Sequence, residues 1–246
     1  MPKRRFAMVR RIVRRSVPGF YGWMLENATM RRAFGAIKGK QTIVVGDDLR
    51  ERFTRIYETN SWADDESRSG GGSNLYATKR IREAIPGLFA KYGVRSVLDI
   101  PCGDFCWFKE MNLDLDSYTG GDIVVPLIAS VAEKYTAPGR SFRVTDLTKD
   151  PLPDCDLILV RDCFIHLRYE SIFAALKNIA QSKIRYLLTT HFAALAANSD
   201  LGAGNCRPVS LCAPPFNFPP PLELIEDSAK GMPRRHLGLW RVDDLR

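Results

Sequence analysis

Apolar and polar positions alternate in two rhythms along the chain. Short apolar runs bounded by turn residues predict strands over 96–100, 118–123, 141–144, 156–160 and 185–190. Between them, apolar residues spaced by three and four predict helices over 74–92, 126–135 and 169–181, with a short aromatic segment at 105–111. Pro126 stands at a helix start, where its missing N–H costs nothing, and Ser73 or Asn74 is available to cap the helix that follows. Strands alternating with helices in this way imply an α/β fold with a doubly wound, mostly parallel sheet. Residues 198–221 break the rhythm with Pro, Asn and Gly, which excludes a regular helix. Two further strands, 222–225 and 237–242, are expected to close the sheet as an antiparallel edge hairpin, for seven strands in all.

Upstream, apolar residues Phe6, Val9, Ile12 and Val13 sit among six arginines in residues 1–16, the pattern of a basic amphipathic helix. A weaker helical pattern covers 20–40, and another covers 50–60 through Leu49, Phe53, Ile56 and Tyr57. Residues 1–60 are thus expected to form a basic helical extension before a domain at 61–246. Charge sharpens this division. Residues 1–40 hold eleven Lys and Arg against one acid, Glu26, whereas the other 206 residues hold 25 basic and 27 acidic residues. The body is nearly neutral, which argues against a broad phosphate track and so against nucleic acid as the partner. The basic arm either contacts an anionic membrane surface or stays solvated. The six cysteines show no spacing typical of a zinc site, no apolar core follows the basic start, and no run of 18 apolar residues occurs. These features predict a reduced, cytoplasmic protein without metal, with peripheral contact at the inner membrane surface through residues 1–16 as an added expectation.

The chemistry gathers at strand ends. Asp99 and Asp104 flank the first turn, Asp122 ends the second strand beside Ile123, and Asp146 follows the third. In a doubly wound sheet these ends lie side by side along the carboxyl edge. There Asp122 can accept from a ribose diol and Asp146 from an adenine amino group. Extra negative charge at the first turn suits a cationic ligand and disfavours a pyrophosphate. The alternative for Asp122 is a strand-end acid that caps the next helix. The loop 63–74 is Gly-rich, and reads either as a flexible linker or as an anion-binding turn before a helix. Arg161 and Asp162 leave the fourth strand at the site mouth, and His166 follows as a general base or as a packed histidine at a helix start.

Asp99-Ile-Pro101-Cys-Gly103-Asp104 resembles the first motif of class I S-adenosylmethionine-dependent methyltransferases. Asp122 resembles their ribose-binding acid, Asp146-Leu147 their adenine-binding pair, and Phe164-Ile-His166-Leu a segment common after their fourth strand. The resemblance covers about residues 74–190; Pro101 replaces the usual first Gly of the motif, and the helix expected after the fifth strand is replaced by the Pro-rich segment, which is expected to face substrate. The chain is also similar to a bacterial subgroup that pairs a Trp-x₃-ESRSG-x-GS loop with DxPCGDF and RDCxxHL; here that loop contains Trp62, Glu66, Ser67, Arg68, Ser69 and Gly70. The resemblance implies a Rossmann-like methyltransferase domain at 61–246, S-adenosyl-L-methionine as cofactor, and methyl transfer to a hydroxyl of a small molecule or glycan. Arg68 would pair with the cofactor's carboxylate, and His166 with Asp162 would serve catalysis. Two alternatives stay open: a nicotinamide-dependent oxidoreductase, which should show GxGxxG after the first strand, and a non-catalytic nucleotide-binding module anchored by its arm.

Overall fold

The computed structural model describes residues 48–200, 205–228 and 234–245. The expected helices at 1–16 and 20–40, and with them the membrane contact, lie outside the described residues. Seven strands form one sheet in the order β3-β2-β1-β4-β5-β7-β6. They are β1 Ser96–Asp99, β2 Ser117–Asp122, β3 Arg140–Val144, β4 Leu157–Val160, β5 Tyr186–His191, β6 Glu223–Glu226 and β7 His236–Arg241. Strands β1 to β5 run parallel, while β7 pairs antiparallel with both β5 and β6.

The apolar runs explain why the strands are central. Leu157, Ile158, Leu159 and Val160 of β4 are all fully buried, as expected for a parallel strand covered on both faces. Their alternation divides the core in two. Leu98, Ile158 and Leu187 point to one face, where Ile172, Ala175 and Ile179 of helix α4 (Tyr169–Gln181) cover them. Val97, Leu157, Leu159 and Leu188 point to the other, against Ile81, Ile85, Leu88 and Phe89 of helix α2 (Lys79–Tyr92). Helix α3 (Val125–Tyr135) enters with Pro126 in its first turn and packs Leu127, Ile128 and Val131 against the β2–β3 side.

Three boundaries differ from the pattern-based expectation. Helix α2 begins at Lys79, because residues 74–78 are held in turns by Asn74, whose Oδ1 accepts from Ala77 N–H and whose carbonyl accepts from Thr78. Helix α1 (Leu49–Glu58), expected as part of the extension, packs Phe53 and Tyr57 onto the α3 cluster and so belongs to the domain. The Pro-rich segment after β5, expected to face substrate, instead buries Val209, Leu211 and Phe216 in the core around Trp240. Among the described residues of the segment, Asn205 to Arg207 run beside the exit of β4.

At the opposite end of the strands Asp156 joins three of them. Its carboxylate accepts from Arg95 N–H, Ser96 N–H and Ser96 Oγ at 2.8–2.9 Å and from Arg185 Nη1 at 2.9 Å. Burial alone would raise this carboxyl, but these donors bring it below its ordinary value. A depressed carboxylate stabilises the fold above its unfolded pKa and loses that contribution as pH falls. Asp156→Asn is therefore expected to cost about 1–3 kcal/mol at pH 7 by denaturant titration, with the gap to wild type closing below about pH 4.

Candidate functional site

The parallel register brings the strand-end acids together. Asp99 lies opposite Gly120 of β2 and Leu159 of β4, and Asp122 lies opposite Val144 of β3. Asp99 is buried and accepts from Tyr118 Oη at 2.8 Å. Asp122 is buried and accepts from Gly103 N–H at 3.3 Å and Val124 N–H at 3.0 Å. Desolvation pushes the Asp99 carboxyl up to about 7 and Asp122 to about 6, against an ordinary 3.8. Both carboxylates thus have too few donors for their burial, and a ligand bringing hydroxyl donors or positive charge would favour their ionised forms. Asp122 does cap the entry to α3, yet this does not satisfy it.

Asp146 differs. Its Oδ1 accepts from Thr148 N–H and Oγ1 at 3.0 and 2.7 Å, and Lys149 lies 3.2 Å from Oδ2. Burial would raise it, but these partners hold it below the ordinary value. Leu147 is buried behind it, with its carbonyl accepting from Asn178. Pro101, half-buried, follows Ile100 through a cis peptide bond. The chain resumes sheet-like bonding at once, Cys102 N–H donating to Gly121 carbonyl at 2.8 Å. Ile123 is half-buried and packs at the α3 cluster.

Asp104 has a third role. Its carboxylate accepts from Ser67 Oγ at 3.1 Å, Arg68 N–H at 2.7 Å and Cys106 N–H at 3.2 Å, with Ser69 Oγ at 3.5 Å. Its own N–H donates to Ser69 Oγ at 3.0 Å. The Gly-rich loop is therefore docked on the first turn, contrary to a linker. Gly103 has φ of 56°, and a Cβ there would collide with Ser69 Oγ, so the turn needs glycine both for its backbone and for the loop above it. The loop is braced internally too. Asp64 accepts from Glu66 and Ser67 N–H and from Asn74 Nδ2, and Glu66 accepts from Leu75 N–H. The Arg68 guanidinium is exposed and lies over the Tyr57 ring at 5.4 Å. It lines a cleft of about 380 Å³ with Asp104, Lys109 and Lys134. A slightly larger cleft of about 430 Å³ lies toward the strand starts, by Asp116, Gly139 and Arg140, away from these acids.

The other end of the loop meets the exit of β4. Arg161 is buried and donates to Asp227 through Nε at 3.0 Å and Nη2 at 2.9 Å, and to the Gly72 carbonyl at 2.8 Å. Its guanidinium also lies over Trp107. Asp162 takes a left-handed φ of 53° and accepts from Arg235 Nη1 at 2.8 Å, with Arg161 Nη1 at 3.5 Å. Arg235 reaches back to Asp227, Nε lying 3.2 Å from its carboxylate. A Cβ on Gly72 would meet the Asp162 carboxylate at 2.9 Å. His166 stands just beyond, its ring 5.4 Å from that of Trp62, which also touches Phe53. Its Nδ1 lies 3.1 Å from the Asn205 carbonyl. A carbonyl only accepts, so Nδ1 carries the proton and Nε2 keeps its lone pair. Burial lowers the His166 proton affinity, partly offset by the Asp162 charge.

The structure thus gathers Asp99, Pro101, Gly103, Asp104, Asp122, Ser69, Arg161, Asp162, His166 and Trp62 around one strand edge, with Asp146 and Leu147 beside them, and turns the Arg68 guanidinium toward α1. Sequence reasoning missed Asp227 and Arg235, which approach from the β6–β7 side with no motif to mark them. Among the described residues no group of His, Cys, Asp and Glu could hold a metal ion.

Two outcomes test this geometry. A raised acid favours the fold below its unfolded pKa and loses that contribution as pH rises through its folded value. Asp99→Asn should therefore gain on wild type between pH 4 and 7, its melting temperature relative to wild type being at least about 3 °C higher at pH 8 than at pH 4. A constant difference would contradict the raised carboxyl. Asp104→Ala should release the loop while the sheet stays folded, so trypsin should cut after Arg68 about tenfold faster with little change in circular dichroism.

No protein-family model and no curated protein matches the chain in sequence. Solved structures match it in shape. The N-methyltransferase NodS from Bradyrhizobium japonicum WM9, in complex with S-adenosyl-L-homocysteine, aligns over 75% of this chain and 97% of its own at 13% identity and a TM-score of 0.54. Magnesium protoporphyrin IX methyltransferase (ChlM) from Synechocystis PCC 6803, with bound SAH, aligns over 78% and 93% at 13% identity and a TM-score of 0.52. The methyltransferase domain of bacterial CtHen1 aligns over 47% of this chain and 66% of its own, so this chain spans just under two thirds of that domain, at a TM-score of 0.42. With its strand order and antiparallel β7 as well, the chain has the Rossmann-like fold of the class I methyltransferases.

Proposed function

We propose that the protein is an S-adenosylmethionine-dependent methyltransferase acting on a hydroxyl of a small molecule. The observation that carries this reading is the pair of buried, under-satisfied carboxylates, Asp99 and Asp122, beside the Gly103 turn. A phosphate-binding turn would be served badly by them; a cationic adenosyl ligand is served well. The fold shared with NodS and ChlM adds support for the class of reaction. Asp122 would take the ribose diol, Asp146 and Leu147 the adenine, and the 101–104 turn with Asp99 the cationic end. When bound, S-adenosylmethionine supplies an electrophilic sulfonium methyl.

The chain's own residues do the rest. His166, neutral with Nε2 open, accepts the hydroxyl proton. Asp162 is bound by two arginines that, against its burial, hold it below the ordinary carboxylate value. It serves poorly as a base itself and instead lends negative charge to His166. Trp62 covers the imidazole, and the loop latched by Asp104 and Arg161 excludes water from the strand edge.

Isothermal titration tests the reading directly. S-adenosylmethionine should bind the wild type, NADH should not, and Asp122→Ala should weaken the first by about 30-fold or more while the exposed Glu133→Ala leaves it unchanged. Affinity should also rise between pH 5.5 and 8, as Asp99 and Asp122 ionise. No binding, or equal loss in both variants, would overturn it.

A further inference from the structure

We propose that Arg207 is an oxyanion-recognition residue beside His166, so that the methyl acceptor carries a carboxylate or phosphate group; the word acceptor rests on the methyltransferase reading above. Arg207 is only 4% exposed, yet its Nε, Nη1 and Nη2 atoms all lack a hydrogen-bond partner among the described residues. Its ion pair with Asp200, Nη2 to Oδ1, spans 3.6 Å, too long for a hydrogen bond. The Tyr169 ring lies 5.3 Å from the guanidinium, and Tyr169 Oη is likewise buried without a partner. A buried guanidinium with unmet donors is costly to keep. Arg161, by contrast, meets Asp227, Asp162 and the Gly72 carbonyl, and Arg235 meets Asp162 and Asp227.

Position gives the unmet donors a use. Arg207 N–H donates to the Ile165 carbonyl at 3.1 Å, and two residues earlier the Asn205 carbonyl holds His166 Nδ1. Arg207 and His166 therefore share one short pairing at the exit of β4. The bland account makes Arg207 a mere counter-charge for Asp200. Asp200, however, is about half exposed and gives its Oδ1 to Tyr169 N–H, the first residue of α4, at 3.0 Å. A carboxylate already rests where a helix start and a guanidinium meet. An oxyanion arriving from outside can displace it and take the two parallel N–H bonds that Asp200 does not make. Asp200 is then a built-in competitor for the site.

Inorganic phosphate and acetate are the probes, titrated at constant ionic strength against a chloride control by calorimetry and thermal shift. At least one should bind the wild type, and which of the two binds separates a phosphoryl from a carboxylate acceptor. Arg207→Met should weaken that binding about tenfold or more, and Asp200→Asn should tighten it several-fold by removing the competitor. Neither anion binding wild type or Asp200→Asn beyond the chloride control would overturn the proposal, as would unchanged binding in a folded Arg207→Met. If Arg207→Met does not fold, unchanged affinity in Asp200→Asn overturns it instead. S-adenosylmethionine titration of the same wild-type sample keeps the two readings apart: its failure beside intact, Arg207-dependent anion binding sinks the reaction class and leaves the oxyanion site standing.

Discussion

A guanidinium taken out of water loses several kcal/mol of hydration, and only close, well-aligned partners restore it. Arg161 is buried at the end of β4, and its partners come from three separate parts of the chain. Asp227 arrives just after β6, Gly72 from the Gly-rich loop, and Asp162 from the next residue of its own strand exit. The parallel half of the sheet, its antiparallel edge and the loop over the site are thereby held to one cation. Arg235 closes the set, so two arginines face two aspartates and no net charge is left buried. Removing any member leaves the others with uncompensated charge, which makes this cluster the constraint on which the site's shape depends.

The acids along the strand edge sort themselves by how well they are served. Asp104 is surrounded by donors from the loop and its own turn, as Asp156, at the opposite end of the strands, is by donors from the starts of β1 and β5; both are well satisfied. Asp99 has the Tyr118 hydroxyl and the charge of Arg161, and Asp122 has the backbone N–H groups of Gly103, Val124 and Ile123; burial outweighs these, and both are held near or above pH 6. Each unit of pKa corresponds to about 1.4 kcal/mol, so the fold tolerates a substantial penalty at these two positions when both are ionised. A structural acid has no reason to be kept that way. The proposed adenosyl cofactor would supply one, since its hydroxyls and positive charge would favour the ionised forms.

Much of this was legible in the chain. The apolar runs mark the central strands because a strand covered on both faces is largely apolar, as β4 is, whereas the edge strand β3 mixes Arg140, Ser141 and Arg143 with Phe142 and Val144. The acids at 99, 122 and 146 fall at strand ends by simple counting. What stayed hidden was whatever depends on contacts distant in sequence. Asp227 and Arg235 lie 66 and 73 residues from their partners just past β4, inside stretches with no motif. The loop at 63–74 carries the composition of a linker, and only its bonds to Asp104 and Arg161 make it a rigid cover. Helix α2 starts late for a local reason that composition conceals, since Asn74 commits its side chain to a turn. The Pro-rich segment excludes helix as read, yet Val209, Leu211 and Phe216 show that irregular backbone can still carry core.

The assignment of proton chemistry follows from the same comparison of partners. Asp162 and His166 both stand past β4, and residue type alone offers either as a base. Two arginines remove Asp162 from contention by stabilising its ionised form, and a stabilised carboxylate takes up a proton reluctantly. His166 is pushed the other way by burial, toward the neutral ring, with the Asn205 carbonyl fixing which nitrogen bears hydrogen. A neutral imidazole with its Nε2 lone pair available is the form a general base requires. The Asp162 charge keeps its proton affinity from falling too far, and Trp62 against the ring limits where it can turn. In the proposed reaction, proton transfer at this strand exit would be shared between two side chains, the carboxylate setting the field and the imidazole moving the proton.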